Sequence, residues 1–572
     1  MAISNPSSSA ETPLLEEEGI KGCLDYNGRP VNRTKCGGWT SASFIIGVEI
    51  AERFAYCGIE SNLVTYLTGP LGQSTATAAE NVNAWSGTAM LLPLLGAFVA
   101  DSFLGGYRTI IAASLIYILG LGLLTLSAAL PSVDSSGCEK ADTSILCSSP
   151  LLQEIILFFS LYLVAFGQGG HKPCVQAFGA DQFDTQDPDE CKAKSSFFNW
   201  WYFGLCSGTL AAFSVLNYIQ DNLSWVLGFG IPCIMMVVGL VVFLCGSTSY
   251  RYNVKGDEKS PFVRIGRALI LAVRNWRTSA AEEEAHGTLP SESSKQFKFL
   301  NKALLAPDGS KEHGKVCSIG EVEEAKAVLR LVPIWATSLV YAVVQAQSST
   351  FFTKQGATMD RSITTGFKIP AASLQSFISF TVVISIPIYD RVFVPLARAW
   401  TGKPAGITML QRIGTGMFLS AILMVIAALV EMQRLKTALE YGLVDKPNAM
   451  VPMSVWWLVP QYVLLGLSEM LTMVGLQEFF YDQVPNGLRN IGLALYLSIF
   501  GVGSFLSSFL ISAIENATGR NGGESWFPNN LNRAHLDYFY WLLAALSSAE
   551  LTLYLYFAKA YIYNKASRPM QS

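Results

Sequence analysis

Apolar residues fall in twelve runs, each near the ~20 residues that a bilayer-spanning helix needs. They lie near 41–67, 84–104, 108–130, 151–171, 197–217 and 223–246, then near 326–352, 371–391, 410–431, 453–480, 489–514 and 536–563. A hydrophilic stretch over 247–325 separates the two sets. The pattern predicts an all-α membrane protein: a tail over 1–40, a six-helix bundle over 41–246, a central loop over 247–325, a second six-helix bundle over 326–563 and a tail over 564–572. Six and six around one long polar loop suggests an internal repeat, as in many secondary transporters. The loop opens on Pro261–Trp276, where basic and apolar residues alternate at helical spacing. That predicts a helix on the membrane surface, followed by a flexible linker.

Composition agrees with this picture. The chain is 51% hydrophobic and only 15% charged, with mean hydropathy +0.35; soluble domains hold about 25% charged residues. A net charge of −3 gives no basic field for nucleic acid. The eleven cysteines contain no C-x-x-C pair, and His171, His286, His313 and His535 are scattered. No metal site is expected. Cys138 and Cys147 share a short loop and suit a disulfide if that loop faces an oxidising side. Residues 1–38 hold no apolar core, so the first span is expected to act as its own insertion signal. Lys and Arg outnumber those of the opposite side on the side of the N-terminus, even with the long central loop discounted, which places both termini in the cytoplasm. The sequons at Asn222 and Asn516 then face away from the cytoplasm and the one at Asn32 faces it.

Charge inside a span is costly and usually functional. The first span carries Glu49, Glu52 and Arg53, at i, i+3 and i+4 on one helical face. Glu49 is expected to pair with Arg53, leaving Glu52 in need of a cation or a proton. The fourth span is expected to end on Gly167-Gln-Gly-Gly-His-Lys172-Pro173, where three glycines and a proline allow close approach or a bend. The tenth span carries Glu469, and Lys172 is its natural partner from the other half. Three acids against two bases leave the set one cation short, so a single proton would neutralise it. That is what a proton-coupled carrier requires.

Longer strings make the reading more specific. Glu49-x-x-Glu52-Arg53, the string from Gly167 to Asp184, Phe197 to Phe203, Gln347 to Ile363, Ile388 to Arg398 and Leu410 to Gly416 together resemble the proton-dependent oligopeptide transporter family, and more closely its plant nitrate/peptide branch. The resemblance covers nearly the whole chain. It implies a major facilitator fold, alternating access between two bundles, no enzyme activity and no cofactor beyond the coupling proton. It implies that Glu49, Glu52 and Arg53 couple protons, and that Lys172 and Glu469 bridge the bundles. Asp101 and Arg108, in the loop after the second span, resemble the superfamily's gating loop, with Asp390 and Arg391 as the counterpart in the second half. The nitrate-binding archetype's histidine on the seventh span is matched here by Gln345, which offers a neutral amide rather than a chargeable ring.

The expected function is therefore proton symport of a small polar or anionic solute. Nitrate comes first, bound near Arg53, Lys172, Gln345 and Glu469, with Tyr56, Trp200, Trp201 and Phe351 shaping the cavity. A di- or tripeptide or another plant metabolite is the alternative, and a passive channel or sensor the second. Thr88 aligns with a phosphorylated threonine of the archetype. The acidic dileucine-like stretch from Glu11 to Glu18 hints at the vacuolar membrane, with the plasma membrane the other choice.

Overall fold

In this computed structural model the described residues are 23–31, 36–130, 150–184, 187–253, 261–275, 297–304, 317–364, 367–401, 407–447, 449–484, 489–519 and 525–561. All twelve expected spans are helical. Among the described residues, ten helices are long and apolar enough to cross a membrane. An eleventh crossing joins Ile319–Ala336 to Leu339–Gln345 through a bend of 51°. The remaining one is the first span, Gly38–Glu60, whose Glu49, Glu52, Arg53 and Glu60 dilute its apolar character.

Several helices overrun their apolar cores. The second span begins at Thr75 rather than 84, behind Ser74, whose hydroxyl accepts from the Thr77 N–H. The ninth runs Met409–Glu440 and its start carries a reciprocal cap between Thr408 and Gln411. Such polar turns start on caps that satisfy the first backbone N–H groups, and in the second span Thr75, Ala76, Ala78, Ala79, Val82 and Asn83 are buried as well. The fourth span does not end at Pro173. It runs unbroken over Pro150–Ala180, so Lys172 stands within the helix.

The third span (Gly106–Ala129) packs on the fourth, and the first on the fifth (Pro188–Ala211, continued to Asn222) and sixth (Trp225–Cys245). In the second half the ninth span packs on the tenth (Val459–Asp482) and twelfth (Leu536–Ala560). The halves meet mainly where the second span lies against the eleventh (Arg489–Gly519), and where the fifth lies against the eighth (Ser376–Ile388). The result is the expected pair of six-helix bundles, a major facilitator fold.

The internal repeat shows in the backbone. The second span closes on a π-helical turn, Ala100–Leu104, and the eighth span, its counterpart, on another, Tyr389–Phe393. Asp101 and Asp390 sit within these turns, as does Arg391, which is exposed, while the exposed Arg108 follows the first of them. Gly105, at φ 78°, makes the corner between the second and third spans.

The helix Pro261–Arg274 forms as expected, but its surroundings differ. Ala268 and Ala272 are fully buried against Leu300, Ala303, Val322 and Ala325 of the chain itself, and Arg264 pairs with Glu324. Much of its apolar face therefore packs on the short helix Lys298–Leu304 and on the start of the seventh span. The N-terminal segment is tied down too. Cys23–Leu24 pairs antiparallel with Tyr252–Asn253, and buried Arg251 binds the Cys36 carbonyl and both carboxylate oxygens of Glu190. Cys138, Cys147, the Asn32 sequon and the Glu11–Glu18 stretch lie outside the described residues. The Asn222 and Asn516 side chains lie at helix ends, each donating to the carbonyl four residues back.

Candidate functional site

Between the bundles lies a cavity of about 1410 Å³. It opens at the end carrying Gly105, Arg108, Arg251 and Tyr481, and its walls include Arg53, Lys172, Gln345 and Glu469. Four of the expected site residues are thus brought to one space from four spans. Glu49 and Glu52 sit behind Arg53, buried in the first bundle.

Arg53 binds both acids, though not as expected. Its Nε donates to Glu52 at 2.5 Å and stands 3.6 Å from Glu49. Glu52 is the tight partner and Glu49 the loose one, because the guanidinium lies over Tyr56, three residues further along the helix, at 5.4 Å and so turns away from Glu49. One oxygen of each acid and the Arg53 Nη2 make no hydrogen bond among the described residues. His171 joins this group: its ring nitrogens and the two carboxylates offer atoms within 4.8 Å of one another. The scattered histidines of the sequence thus include one at the charged cluster. Arg53 already supplies a cation beside the two carboxylates.

Lys172 and Glu469 face the same cavity without touching. The Lys172 Nζ lies 3.5 Å from the Met90 Sδ, and neither residue makes an ion pair among the described residues. The expected bridging pair is not closed in this conformation, because the cavity lies open between the bundles that carry the two groups. Gln345 likewise directs its Nε2 to a sulfur, Met473 Sδ, at 3.6 Å. Lys172 is placed by a close helix crossing. A Cβ on Gly96 would sit 2.1 Å from the Gly169 carbonyl oxygen, and one on Gly169 2.5 Å from the Leu92 Cβ. Backbones this near admit only glycine.

Of the four expected aromatic neighbours, Trp201 alone lines the cavity. Tyr56 is buried behind Arg53 and stacks on Trp85. Trp200 points out to the bundle exterior, and Phe351 stacks on Phe527 inside the second bundle. Helical phase, invisible in a run of aromatics, decides this. Tyr202, Tyr496 and Phe500 supply the missing walls. The half-buried Thr88 returns its hydroxyl to the Ala84 carbonyl at 2.8 Å midway along the second span.

The far end of the cavity is closed by polar links between the halves. Asn83 donates to Ser507, Ser512 to Glu80, Lys354 to Thr68 and Gln375 to the Ser61 carbonyl. Arg361 stands 3.8 Å from Asp221. A cavity open at one end and clasped at the other is one of the two states that alternating access needs.

Residues 107–527 match the POT family, PTR2. The Arabidopsis thaliana protein NRT1/PTR FAMILY 5.10 is 66% identical over 566 residues, covering 98% of this chain and 99% of that one. NRT1/PTR FAMILY 5.14 of the same plant is 56% identical, covering 97% and 98%. The chain belongs to the POT family. It is a multi-pass membrane transporter, not an enzyme. Among solved structures an auto-inhibited POT family peptide transporter shares the fold, with a TM-score of 0.69 at 23% identity, covering 92% of this chain and 98% of that one. A POT family transporter in complex with 5-aminolevulinic acid does so at 0.60 and 16%, covering 91% and 96%.

Within this POT-family cavity, sequence reasoning missed Glu60. It lies seven residues after Arg53 on the same helical face, lines the cavity, and accepts from Ser86 at 2.8 Å and Tyr56 at 3.4 Å. The i+7 spacing was there to find it. Glu60 also bears electrostatically on Glu469 across the bundle interface. With it the cluster holds four acids and two bases, two cations short rather than one.

Two other buried carboxylates went unread. Glu431 forms a bidentate pair with Arg434 three residues on, both fully buried. Glu550 stands in the twelfth span against the broken seventh. Each is a charge in an apolar run, the same signal that identified Glu469.

Proposed function

We propose that this transporter is a proton-coupled symporter of a small solute bearing an oxyanion, nitrate first. One observation carries the reading. Lys172 Nζ and Gln345 Nε2 line a single cavity and, among the described residues, meet only methionine sulfur; beside them Arg53 lines the same cavity, and its buried Nη2 makes no hydrogen bond among the described residues. Sulfur is a weak acceptor, so an oxyanion entering the cavity gains charge-assisted hydrogen bonds that the methionine contacts do not supply. Glu49 and Glu52 compete for one guanidinium, and the unmatched carboxylate is the group to take the proton. A shortfall of two cations accommodates more than one proton per turnover. A nitrate symporter facing a negative interior needs this, since each anion moved against 100 mV costs about 2.3 kcal/mol. The termini and the open end of the cavity face the cytoplasm of a plasma or vacuolar membrane, in keeping with the distribution of Lys and Arg.

A second reading has its own support. Glu60 and Glu469 line the cavity with no basic partner within ion-pair distance among the described residues, which suits a solute with an amine as well as a carboxylate, such as a dipeptide.

The test is labelled nitrate uptake into proteoliposomes with an imposed pH gradient, repeated with excess dipeptide. Acid-driven uptake indifferent to dipeptide supports the nitrate reading. Inhibition by dipeptide, with dipeptide itself accumulating, selects the zwitterion. Flux of either solute that ignores the pH gradient refutes symport.

A further inference from the structure

The seventh span is broken between Ala336 and Leu339. Ile319–Ala336 ends behind Pro333, and Leu339–Gln345 restarts at an angle of 51°. A restart exposes backbone N–H groups that no preceding carbonyl can accept. In hydrocarbon such groups must find a partner inside the protein. Here the partner is one side chain. Glu550, 6% exposed, accepts the Val340 N–H at 2.6 Å with one oxygen and the Tyr341 N–H at 2.9 Å with the other. Negative charge at a helix start is also favoured by the backbone dipoles. No base lies within ion-pair distance of Glu550 among the described residues, and its hydrogen-bond partners among them are these two amides.

The segment held this way connects the two working ends of the protein. Its last residue is Gln345, on the cavity wall. Beyond it, Phe351–Ala357 carries Lys354, whose ammonium binds Thr68 of the other bundle in the outer clasp. Ala342, one turn into the helix, lies against the eleventh span so tightly that a Cβ on Gly503 would fall 2.3 Å from its own.

We propose that Glu550 is a positioning residue of the transport cycle, holding the restart of the seventh span so that Gln345 and the Lys354 segment move as one body between the cavity and the outer clasp. The inference rests on the symport reading for its transport readout only. Its structural readout is independent of substrate.

The experiment is hydrogen–deuterium exchange of the full-length protein in nanodiscs, read on the peptide covering residues 337–345, for wild type and Glu550→Gln. The amide keeps one acceptor oxygen and loses the charge. Exchange at Val340 and Tyr341 is expected to rise about tenfold or more, the size of effect expected when hydrogen bonds to a charged acceptor are lost. Maximal uptake is expected to fall several-fold at unchanged protein abundance, while the pH giving half-maximal uptake stays put because the Glu49, Glu52 and Arg53 cluster is untouched. Unchanged exchange overturns the proposal. Raised exchange with wild-type uptake also overturns it, since the restart would then not matter for transport. If Glu550→Gln does not fold, Glu550→Asp keeps the charge but shortens the reach. Intermediate exchange and intermediate uptake are then expected, and wild-type values of both overturn the proposal. Failure of symport would show as absent uptake in the wild type with the exchange difference intact.

Discussion

Replacing Gly96 with alanine adds one methyl group where the second and fourth spans come closest. Built on the existing backbone, its Cβ would stand 2.1 Å from the Gly169 oxygen, 2.7 Å from the Gly169 carbonyl carbon and 2.8 Å from the Gly170 Cα. Real Cβ atoms essentially never approach within 3.0 Å, so the helices must part by at least the difference, 0.9 Å. No flexible side chain can absorb this, because all three atoms are backbone. Overpacking of this kind costs about 1–3 kcal/mol. The larger effect is on function. The displaced segment carries His171 and Lys172, and about 1 Å of misplacement at a working group can cost about 100-fold in rate. Gly122→Ala is the control: the same added methyl, in the third span, meets nothing within 4 Å. Melting is followed by fluorescence-detected size exclusion, and uptake in proteoliposomes at matched protein levels. Gly96→Ala is expected to melt lower and to transport far more slowly, with Gly122→Ala near wild type. Equal melting and uptake for Gly96→Ala and wild type would refute the claim that this crossing sets the position of Lys172.

Glu49→Gln should abolish accumulation driven by a pH gradient while leaving the folded protein intact; continued accumulation against a solute gradient would show that the proton is carried elsewhere. Arg434→Ala strips Glu431 of its buried partner and also frees Asn532, Thr358 and the Leu531 carbonyl. A loss of about 3–5 kcal/mol is expected, read as a large drop in melting temperature, and an unchanged melt would contradict it. Glu190, in the first turn of the helix Pro188–Ala211 and ahead of its apolar span Trp200–Asn222, gives a pH prediction. Burial alone would raise its carboxyl, but hydrogen bonds from Arg251 and from the Asp184 N–H outweigh this and hold it below the usual carboxylate range. A lowered folded value means that the pair stabilises the fold above the unfolded carboxyl value of about 4.3 and ceases to do so as pH falls through the folded value. Melting measured from neutral pH downwards should fall more in the wild type than in Glu190→Gln, and parallel curves would count against the pair.

The spans were legible because a bilayer imposes length and apolarity, which the chain displays openly. Their ends were not, since turns such as Thr75–Asn83 and Met432–Glu440 continue the helix in polar sequence that hydropathy discounts. The charged cluster was legible by the rarity of charge in apolar runs. Its pairing was not: whether Arg53 favours Glu52 or Glu49 depends on a side-chain rotamer, and the aromatic walls on helical phase against a partner. The break in the seventh span is marked by Pro333, yet nothing local to that segment announces that the group satisfying it lies some two hundred residues away, at Glu550.

The outer clasp has a consequence for how such a protein diversifies. Its links are single contacts: those of Asn83 and Gln375 join neutral groups and contribute about 1 kcal/mol each, or about a five-fold change in an equilibrium, while those of Glu80, Lys354 and Arg361 each involve a charged group. No single link governs which side the cavity faces. Substitutions at Thr68 or Ser507, which do not line the cavity, would each shift the resting distribution by a modest step. Relatives with the same charged cluster can therefore acquire different apparent affinities and rates by drift at their outer face alone, so that kinetic character and chemical selectivity are inherited on separate sets of residues.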